Sequence, residues 1–435
     1  MKDILQGSDE FTRRAFMASA ARTCLGVGIA AGPGAALLRA ADAPVARDAG
    51  VAGKAKHVIY VYLAGGMSHI DTFDPKPGQP TAGEFSPIKS AAPDIQISEK
   101  LPGLAKQADR IAVIRSMTSK QGAHERGNYL MHTSYPPLGT IRHPAMGAWA
   151  LKLAGRMNKT LPGNVLIGGG RNHAGAGFFP SEFEPLLIGD PNRGLQNVTL
   201  PGGVSESQFA SRQSLLDRLD AGFRARYPHS GVKAYNKFYD EALNLMHSED
   251  LTAFNLGDES SDAKSAYGSD RFGQGCLLAR RLVQHGVRFV EVTSGGWDTH
   301  QDNFERLGTR LLPVLDQALA ALIGDLSKIG LLDETLIVLT TEFGRTPKIN
   351  ERSGRDHYPK VFSAMVAGGG VKGGQVYGKS DETGSTVADS PVAPEDLNAT
   401  IGYALGVDAR KHFMSPEGRP FAMGGITGKP LTALF

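Results

Sequence analysis

Short apolar runs that end in glycine or polar residues constrain this chain most strongly. Each run has the length and composition of a strand buried on both faces of a sheet. The six clearest runs are HVIYVYLAGG (57–66), RIAVIRSMTS (110–119), NVLIGGG (164–170), VRFVEVTSGG (287–296), TLIVLTTEFG (335–344) and VFSAMVAGGG (361–370). They predict the strands of a mostly parallel sheet, and each opens into a loop.

Helical patterns separate several of these runs. From Leu311 to Ile329, large aliphatic residues recur at steps of three or four, and Gly330 follows as a stop. A second pattern, DRFGQGCLLARRLVQHG, covers residues 270–286 and ends at Gly286. Strands that alternate with helices predict a doubly wound α/β sheet, in which ligands bind beyond the carboxyl ends of the strands.

The middle of the chain follows neither pattern clearly. Residues 171–262 begin with a Gly/Pro-rich part and continue with two helical patterns, SRQSLLDRLDAGFRARY and AYNKFYDEALNLM. We interpret this region as an insertion that covers one side of the sheet. The predicted folded domain runs from residue 55 to residue 435.

Charge and cysteine content exclude some functional classes. The 435 residues include 47 Lys plus Arg and 44 Asp plus Glu without a basic block, so nucleic-acid binding is not predicted. The chain has two cysteines, Cys24 and Cys276. Because Cys24 lies in a predicted leader, the mature chain would keep only Cys276, and an internal disulfide is excluded.

The first 43 residues have the features of a twin-arginine signal peptide. Arg13 and Arg14 precede a mildly apolar, Ala/Gly-rich stretch, and Ala41-Asp42-Ala43 offers a small-residue cleavage site. The stretch is too weakly apolar for a stable membrane span. We therefore expect export by the twin-arginine pathway to the periplasm or the cell surface, with a disordered basic tail as the alternative.

Four polar clusters follow the predicted strand ends. They contain Ser68, His69, Asp71 and Asp74; Asp298, His300, Asp302 and Asn303; Glu342 and Arg345; and Arg355, Asp356 and His357. Carboxylates and imidazoles suit zinc, manganese or other divalent cations, and arginine suits an anionic substrate. The alternatives are structural. Asp298 and His300 would then be turn residues, and Glu342 and Arg345 an ion pair.

Four stretches of the chain resemble, in this order, the exported family of unknown function DUF1501. They are LAGGMSHIDTFDPKP, CLLARRLVQHGVRFVEVTSGGWDTHQDN, TTEFGRTP with GRDHYP, and VAGGGVKGGQVYGKSDETG. The resemblance covers nearly the whole mature chain. Because that family is placed in the alkaline phosphatase and sulfatase superfamily, the resemblance implies a three-layer α/β/α sandwich, alkaline phosphatase-like, with a mostly parallel central sheet.

The resemblance also implies roles for individual residues. Asp298 and His300 match a metal-binding Asp and His that precede a long helix in the superfamily, and His357 matches a later ligand histidine. Glu342 stands where the superfamily has a ligand aspartate, and Phe343 stands where it has a ligand histidine.

Two regions depart from the superfamily pattern. The first strand lacks the usual ligand aspartate, so His69, Asp71 or Asp74 would have to substitute for it. The stretch MTSKQGAHERGNYLMHTSYPP matches the nucleophile region and places His124 near the nucleophile position. None of the nearby hydroxyl residues is clearly placed: Ser116, Thr118, Ser119 and Thr133.

Together with these residues, the resemblance implies an exported, metal-dependent hydrolase of a phosphate or sulfate ester, on a small molecule or a glycan. The predicted ligands of a divalent cation, zinc before manganese or calcium, are Asp298, His300, His357, Glu342, His69 and Asp71. The predicted catalytic and anion-binding residues are His124, Glu342, Arg345 and Arg355. The alternatives are a non-catalytic binding protein on a degenerate alkaline phosphatase-like fold and a mutase or transferase of the same fold.

Overall fold

The computed structural model describes residues 53–170, 172–196, 198–200, 202–226 and 240–435. The predicted signal peptide therefore lies outside the described residues. Eight strands form one central sheet: β1 (His57–Leu63), β2 (Ile111–Met117), β3 (Asn164–Ile167), β4 (Leu186–Ile188), β5 (Phe289–Ser294), β6 (Thr335–Thr340), β7 (Phe362–Ala367) and β8 (Gln375–Tyr377). The six predicted strands are confirmed, and β4 and β8 are additional.

One strand of this sheet is reversed. The order across the sheet is β8-β2-β7-β6-β1-β5-β3-β4. β7 runs antiparallel to β2 and β6, whereas the other pairings in the sheet are parallel. β7 therefore starts at the edge of the sheet where the other strands, which are parallel to one another, end. Side chains that precede β7 lie beside those that follow β1, β5 and β6.

Helices cover both faces of the sheet. They are α1 (Pro102–Lys106), α2 (His124–Thr133), α3 (Met146–Ala154), α4 (Glu206–Arg226), α5 (Ser261–Ala266), α6 (Arg271–Gln284), α7 (Asn303–Arg306), α8 (Leu312–Lys328) and α9 (Pro394–Ala404). One face packs α1, α6 and α8 in a core with Ile59 and Val61 of β1. The other packs α2, α3 and α9 in a core with Val58 and Tyr60. Because alternate strand residues point to opposite faces, the fold is a three-layer α/β/α sandwich, as expected.

The two helices with clear sequence patterns end where predicted. α6 stops just before Gly286 and α8 just before Gly330, and these glycines have φ values of 87° and 74°. Residues other than glycine rarely adopt such positive φ values, so both stop signals have a backbone cause.

The predicted insertion at residues 171–262 contributes to the sheet itself. Its strand β4 pairs in parallel with β3 and forms one edge. The first predicted helical pattern forms α4, which exposes Leu215 and Leu219. The second pattern lies partly outside the described residues, although 240–246 is helical. The limits of the insertion stay a prediction.

One helical run, Asn303–Lys328, is long and apolar enough to cross a membrane by length and composition alone. It consists of α7, a π-helical turn at Leu307–Leu311 and α8. Leu319 and Leu322 of this run are fully buried in the core between α8 and the sheet. Its place in a helical layer accounts for its apolar composition.

We predict that Leu322→Ala lowers the free energy of unfolding by about 2–5 kcal/mol, because it leaves a cavity at a fully buried position. Leu219→Ala is the matched control, since Leu219 on α4 is 59% exposed and its truncation creates no cavity. Denaturant unfolding followed by circular dichroism measures both variants. Equal destabilisation by the two changes would contradict the placement of α8.

Candidate metal centre

Two loops pass closely at the carboxyl edge of the sheet. Gly65 and Gly66 follow β1 with φ values of 127° and 87°, which favour glycine. A Cβ at Gly65 would lie 2.3 Å from the backbone nitrogen of Asp298, so only glycine permits this approach. The approach fixes Asp298, in the loop after β5, above the end of β1.

Three imidazoles surround the Asp298 carboxylate. Nε2 of His124 lies 3.3 Å from Oδ2 of Asp298. On the other oxygen, Oδ1, the distances are 3.1 Å to Nε2 of His300 and 3.2 Å to Nε2 of His357. The start of α2, the loop after β5 and the segment before β7 supply these rings. We name these four residues the Asp298 cluster.

The second ring nitrogen of each histidine faces an acceptor. Nδ1 of His124 lies 2.7 Å from Oε1 of Glu342. Nδ1 of His300 lies 2.7 Å from Oδ1 of Asp356, and Nδ1 of His357 lies 3.0 Å from a backbone carbonyl oxygen in the loop before α2. In a neutral ring Nδ1 then carries the hydrogen, and Nε2 has the free lone pair. Acceptors behind histidine rings are typical of zinc ligands.

Three members of the Asp298 cluster, His124, Asp298 and His357, offer ligand atoms that all lie within 4.8 Å of one another and can meet at one divalent cation, and His300 lies beside His357. Nε2 of His300 and Nε2 of His357 are 2.9 Å apart, and two lone pairs at this distance repel unless a proton or a cation lies between them. Ligand atoms around tetrahedral zinc, with bonds of about 2.0–2.1 Å, are about 3.3 Å apart. The separations of 3.1–3.3 Å from Asp298 are close to this spacing. Three imidazoles and one carboxylate suit zinc better than calcium.

The charges around the cluster keep Asp298 ionised. Burial raises the pKa of Asp298, but the hydrogen bond and positive charge of Arg345, with smaller effects of two histidines, lower it to about 2. The hydrogen bond to Glu342 raises the pKa of His124. Burial, with the neighbouring positive charges, lowers the pKa of His357. The lowered pKa favours the neutral form of His357, whose Nε2 carries a lone pair.

Glu342 lies behind His124 and is buried. Its Oε1 also accepts the backbone N–H of Gly65 at 2.9 Å, and its Oε2 accepts the hydroxyls of Tyr62 and Thr341, each at 3.1 Å. Both carboxylate oxygens of Glu342 therefore already accept hydrogen bonds. The placement favours an orienting role for Glu342, and its predicted role as a ligand or general base stays a prediction.

Arg345, which the sequence suggested as an anion-binding residue, is fully buried. Its Nε donates to the carbonyl oxygen of Gly66 at 2.9 Å, and its Nη1 donates to that of Arg355 at 3.1 Å. Its Nη2 contacts Asp298 and the carbonyl oxygen of Gly65. These acceptors leave little of the guanidinium for a substrate, so Arg345 holds the two loops together.

Asp71 and Arg355 form a buried ion pair instead of joining the Asp298 cluster. Nε of Arg355 lies 2.8 Å from Oδ2 of Asp71, and Nη2 lies 3.0 Å from Oδ1. Both side chains are at most 1% exposed. Ser68 and Asn303 also donate to Asp71. The two charges neutralise each other, which disfavours the predicted metal role of Asp71 and the predicted anion-binding role of Arg355.

His69 is a fully buried histidine outside the cluster. Its Nε2 lies 2.8 Å from the carbonyl oxygen of Gly384, and burial lowers the pKa of His69. The potential ligand groups found among the described residues do not include it. A neutral interior histidine accounts for this position, so the structure does not bring His69 to the candidate centre.

Phe343 occupies the position for which the resemblance implies a ligand histidine. Its ring is fully buried and packs against the rings of His124 and His357 at centroid distances of 5.1 Å and 4.6 Å. The phenyl ring supports both imidazoles but cannot bind a cation. The cluster therefore offers the ligands of a single ion.

α2 begins at the cluster and points its amino end toward it. The first residue of α2 is His124, and Ala123 before it has no capping side chain. The backbone N–H groups of His124, Glu125 and Arg126 have no acceptor in the part of the chain that the structure describes. Free N–H groups in a first helical turn favour an anion. An oxyanion beside the cluster would find its donors here.

A second imidazole–carboxylate group lies inside the fold. Nε2 of His132 is 3.1 Å from Oε1 of Glu291, and Nε2 of His173 is 3.2 Å from Oε2. Nδ1 of His132 faces the carbonyl oxygen of Asn128 at 2.8 Å, and the charge and hydrogen bond of Glu291 raise the pKa of His132, which favours its protonated form. Nδ1 of His173 accepts the N–H of Gly175 at 3.0 Å, which places the hydrogen on Nε2. A buried ion pair explains this group better than a metal.

Some of these residues have weak sequence signals. Glu291 interrupts the apolar run of β5, where an ionisable side chain requires a buried partner. His132 and His173 are isolated in the sequence, so nothing local marks them as its partners. Asp356 belongs to a predicted cluster, but its function as the acceptor behind His300 depends on the folded loop.

Residues 55–435 match the profile of a family described as "Protein of unknown function (DUF1501)". The chain belongs to this family. The DUF1501 match includes every residue of the Asp298 cluster. No curated protein shows significant sequence similarity to the chain.

Several solved structures show a distant similarity to this DUF1501 protein. The PsFucS1 sulfatase from Pseudoalteromonas sp. is 16% identical with a TM-score of 0.36, over 81% of this chain and 68% of that chain. A protein in the alkaline phosphatase superfamily from Vibrio parahaemolyticus is 12% identical with a TM-score of 0.34, over 82% and 68%. The phosphonate monoester hydrolase SpPMH from Silicibacter pomeroyi is 12% identical with a TM-score of 0.38, over 87% and 76%. Similarity at this level assigns no activity and no residue roles.

We predict that Asp71→Asn lowers the free energy of unfolding by about 3–5 kcal/mol without changing metal content, because it leaves the buried Arg355 charge unpaired. Denaturant unfolding and elemental analysis measure the two effects. Asp298→Asn is the comparison variant and should lose metal, since Asp298 lies among the histidines, together with some stability, since Asp298 is also the carboxylate partner of the buried Arg345. Loss of metal from Asp71→Asn would restore Asp71 as a ligand.

The pair of His132 and Glu291 should make stability depend on pH. Burial lowers the pKa of His132, but the charge and hydrogen bond of Glu291 outweigh it and raise the pKa above the ordinary 6.5. Burial raises the pKa of Glu291, but the larger opposite effect of the two histidines brings it below its ordinary value. The stability from His132 is therefore complete below pH 6.5 and is lost as pH rises through the higher folded pKa.

We predict that Glu291→Gln removes this loss of stability above neutral pH. Without the carboxylate, the buried ring of His132 stays neutral in the folded protein throughout the rise in pH. Thermal unfolding between roughly pH 6 and pH 9 compares the variant with the wild type. Glu125→Gln is the matched control, since Glu125 is exposed on α2. An unchanged pH dependence in Glu291→Gln would contradict the ionised pair.

Proposed function

We propose that this protein is an exported, metal-dependent hydrolase of a phosphate or sulfate ester. The observation that carries the proposal is the convergence of three Nε2 atoms on Asp298, at 3.1–3.3 Å. Each ring also has its Nδ1 fixed by an acceptor. A turn or a helix cap requires neither feature, whereas a metal centre requires both.

Three side chains would hold the cation, His124, Asp298 and His357, and His300 beside His357 is a further candidate ligand. A divalent ion bound there supplies Lewis-acid polarisation of an ester oxygen and activation of water. The nitrogen-rich donor set favours zinc, whereas manganese and calcium prefer more oxygen ligands. Glu342 and Asp356 keep the rings of His124 and His300 oriented for binding.

The start of α2 would bind the ester group. The N–H groups of Glu125 and Arg126 would donate to its nonbridging oxygens, where negative charge grows during the reaction. Water would be the attacking group, since a divalent ion can activate it directly, and two of the four nearby hydroxyls are engaged or inaccessible. Thr133 donates to the carbonyl oxygen of Tyr129 at 2.7 Å, and Ser116 is fully buried.

Export is part of the proposal and depends on residues 1–43. The twin-arginine pathway carries folded proteins, so a cation could be bound before the chain crosses the membrane. The substrate would then be a small-molecule or glycan ester in the periplasm or at the cell surface.

A non-catalytic binding protein is the second candidate. It is favoured by Phe343, which removes a possible ligand, and by Arg345, whose donors are occupied by backbone carbonyls. Such a protein would keep the free N–H groups at the start of α2 and bind an ester without hydrolysing it.

The proposal is tested by measuring metal content and hydrolysis in the wild type and in single variants. We expect about one divalent ion per chain, and turnover of an aryl phosphate, a phosphodiester or an aryl sulfate. His357→Ala should lose both. Asp356→Ala removes the acceptor behind His300 and should weaken metal binding by about 10–100-fold.

His412→Ala is the control, because His412 is exposed and has no partner within the described residues. It should equal the wild type in metal content and turnover. Metal retained by His357→Ala would refute the centre. A wild type that binds metal but hydrolyses none of the esters would favour the second candidate.

A further inference from the structure

A cavity of about 280 Å³ lies at the carboxyl edge of the sheet, separate from the Asp298 cluster. Its walls come from the ends of β3 and β5, the loop after β4, the start of α6 and the π-helical turn before α8. The polar lining includes Thr293, Ser294, Arg271 and Arg310, and the one aromatic side chain is Phe272. A single ring cannot sandwich a nucleobase, so the lining suits a ligand held by polar contacts.

Two arginines give this cavity a positive wall. Arg310 is exposed, and no acceptor for its guanidinium lies within the described residues. Arg271 has only a long contact of 3.4 Å from Nη2 to Oδ2 of Asp190. The carboxylate in the lining, Asp270, accepts the N–H of Phe272 at 2.8 Å as the cap of α6. Unused guanidinium donors beside an engaged carboxylate select an oxyanion.

The cavity and the Asp298 cluster share the loop 295–298. Arg306, one helical turn before Arg310, donates to the carbonyl oxygens of Asp298 at 2.8 Å and Gly296 at 2.7 Å. Nη2 of Arg310 would be 3.3 Å from a Cβ at Gly296, so its guanidinium lies against the same loop. The first residue of the loop lines the cavity and the last is in the cluster, so their Cα atoms are at most about 11 Å apart.

We propose that this cavity binds a second oxyanion of the substrate, a sulfate or carboxylate substituent of an acidic saccharide. The inference rests on the proposed function, which places the reacting ester at the Asp298 cluster. Arg310 binds the second group through its unused donors. The Oγ of Ser294 accepts the indole N–H of Trp297 at 3.2 Å and keeps its own hydrogen to donate. One ligand then spans the loop 295–298, with its reacting ester at the Asp298 cluster and its second anionic group in the cavity.

The test is calorimetric binding of one disaccharide in unsulfated, monosulfated and disulfated forms to the metal-loaded full chain. A matched disaccharide with one sulfate and one uronic carboxylate distinguishes the two kinds of second anion. We expect the second anion to tighten binding about tenfold in the wild type. Arg310→Gln should remove this gain and leave the affinity for the monosulfated form unchanged. Arg310→Lys, which keeps the charge without the fork, should retain part of the gain.

Arg218→Gln is the matched control, because Arg218 is an exposed arginine on α4, outside the cavity lining. It should keep the tenfold gain. No gain from a second anion in the wild type, or equal weakening of both ligands by Arg310→Gln, would overturn the inference. Hydrolysis without this preference would contradict the cavity alone. The preference without any hydrolysis would contradict the proposed catalysis alone.

Discussion

The close packing of the loop after β1 against the loop after β5 is the constraint on which the candidate centre depends. No side chain fits at Gly65, because its Cβ would lie 2.3 Å from the backbone nitrogen of Asp298. The buried guanidinium of Arg345 then donates to carbonyl oxygens of the first loop and contacts the Asp298 carboxylate of the second. Buried carbonyl groups need such donors. The carboxylate is therefore held in place by the fold before any ligand is bound, which is the arrangement that a preorganised site requires.

Local sequence patterns were enough to predict the layers of the fold but not the direction of every strand. Apolar runs such as β1 and β6 are buried on both faces, and the leucine spacing of α8 faces the core, so both follow from periodicity. Nothing local in β7 distinguishes a parallel strand from an antiparallel one. Its direction nevertheless decides the site. If β7 were parallel, His357 would precede it at the opposite edge of the sheet, far from Asp298.

The candidate site could be predicted only in part, because residue type does not separate ligands from structural partners. His300 and Asp298 are among the predicted ligands, and the structure places them together. His69 and Asp71 have the same chemistry, but burial and fixed partners occupy them. His124 shows the reverse case. It follows no strand directly, and the packing of α2 brings its Nε2 to the cluster. Burial and pairing are properties of the whole fold, so a local motif cannot report them.

The ion pair of Asp71 and Arg355 has a consequence for how related chains diverge. The two residues are 284 positions apart in sequence, yet they share two hydrogen bonds in the interior. Exchange of either one alone strands a charge away from water, whereas replacing both by apolar residues of similar volume costs little. Substitutions at the two positions are therefore expected to occur together during evolution. Among descendants of a common ancestor, the pair is expected to be inherited intact or to disappear together, and sequence covariation should connect the two ends of the domain.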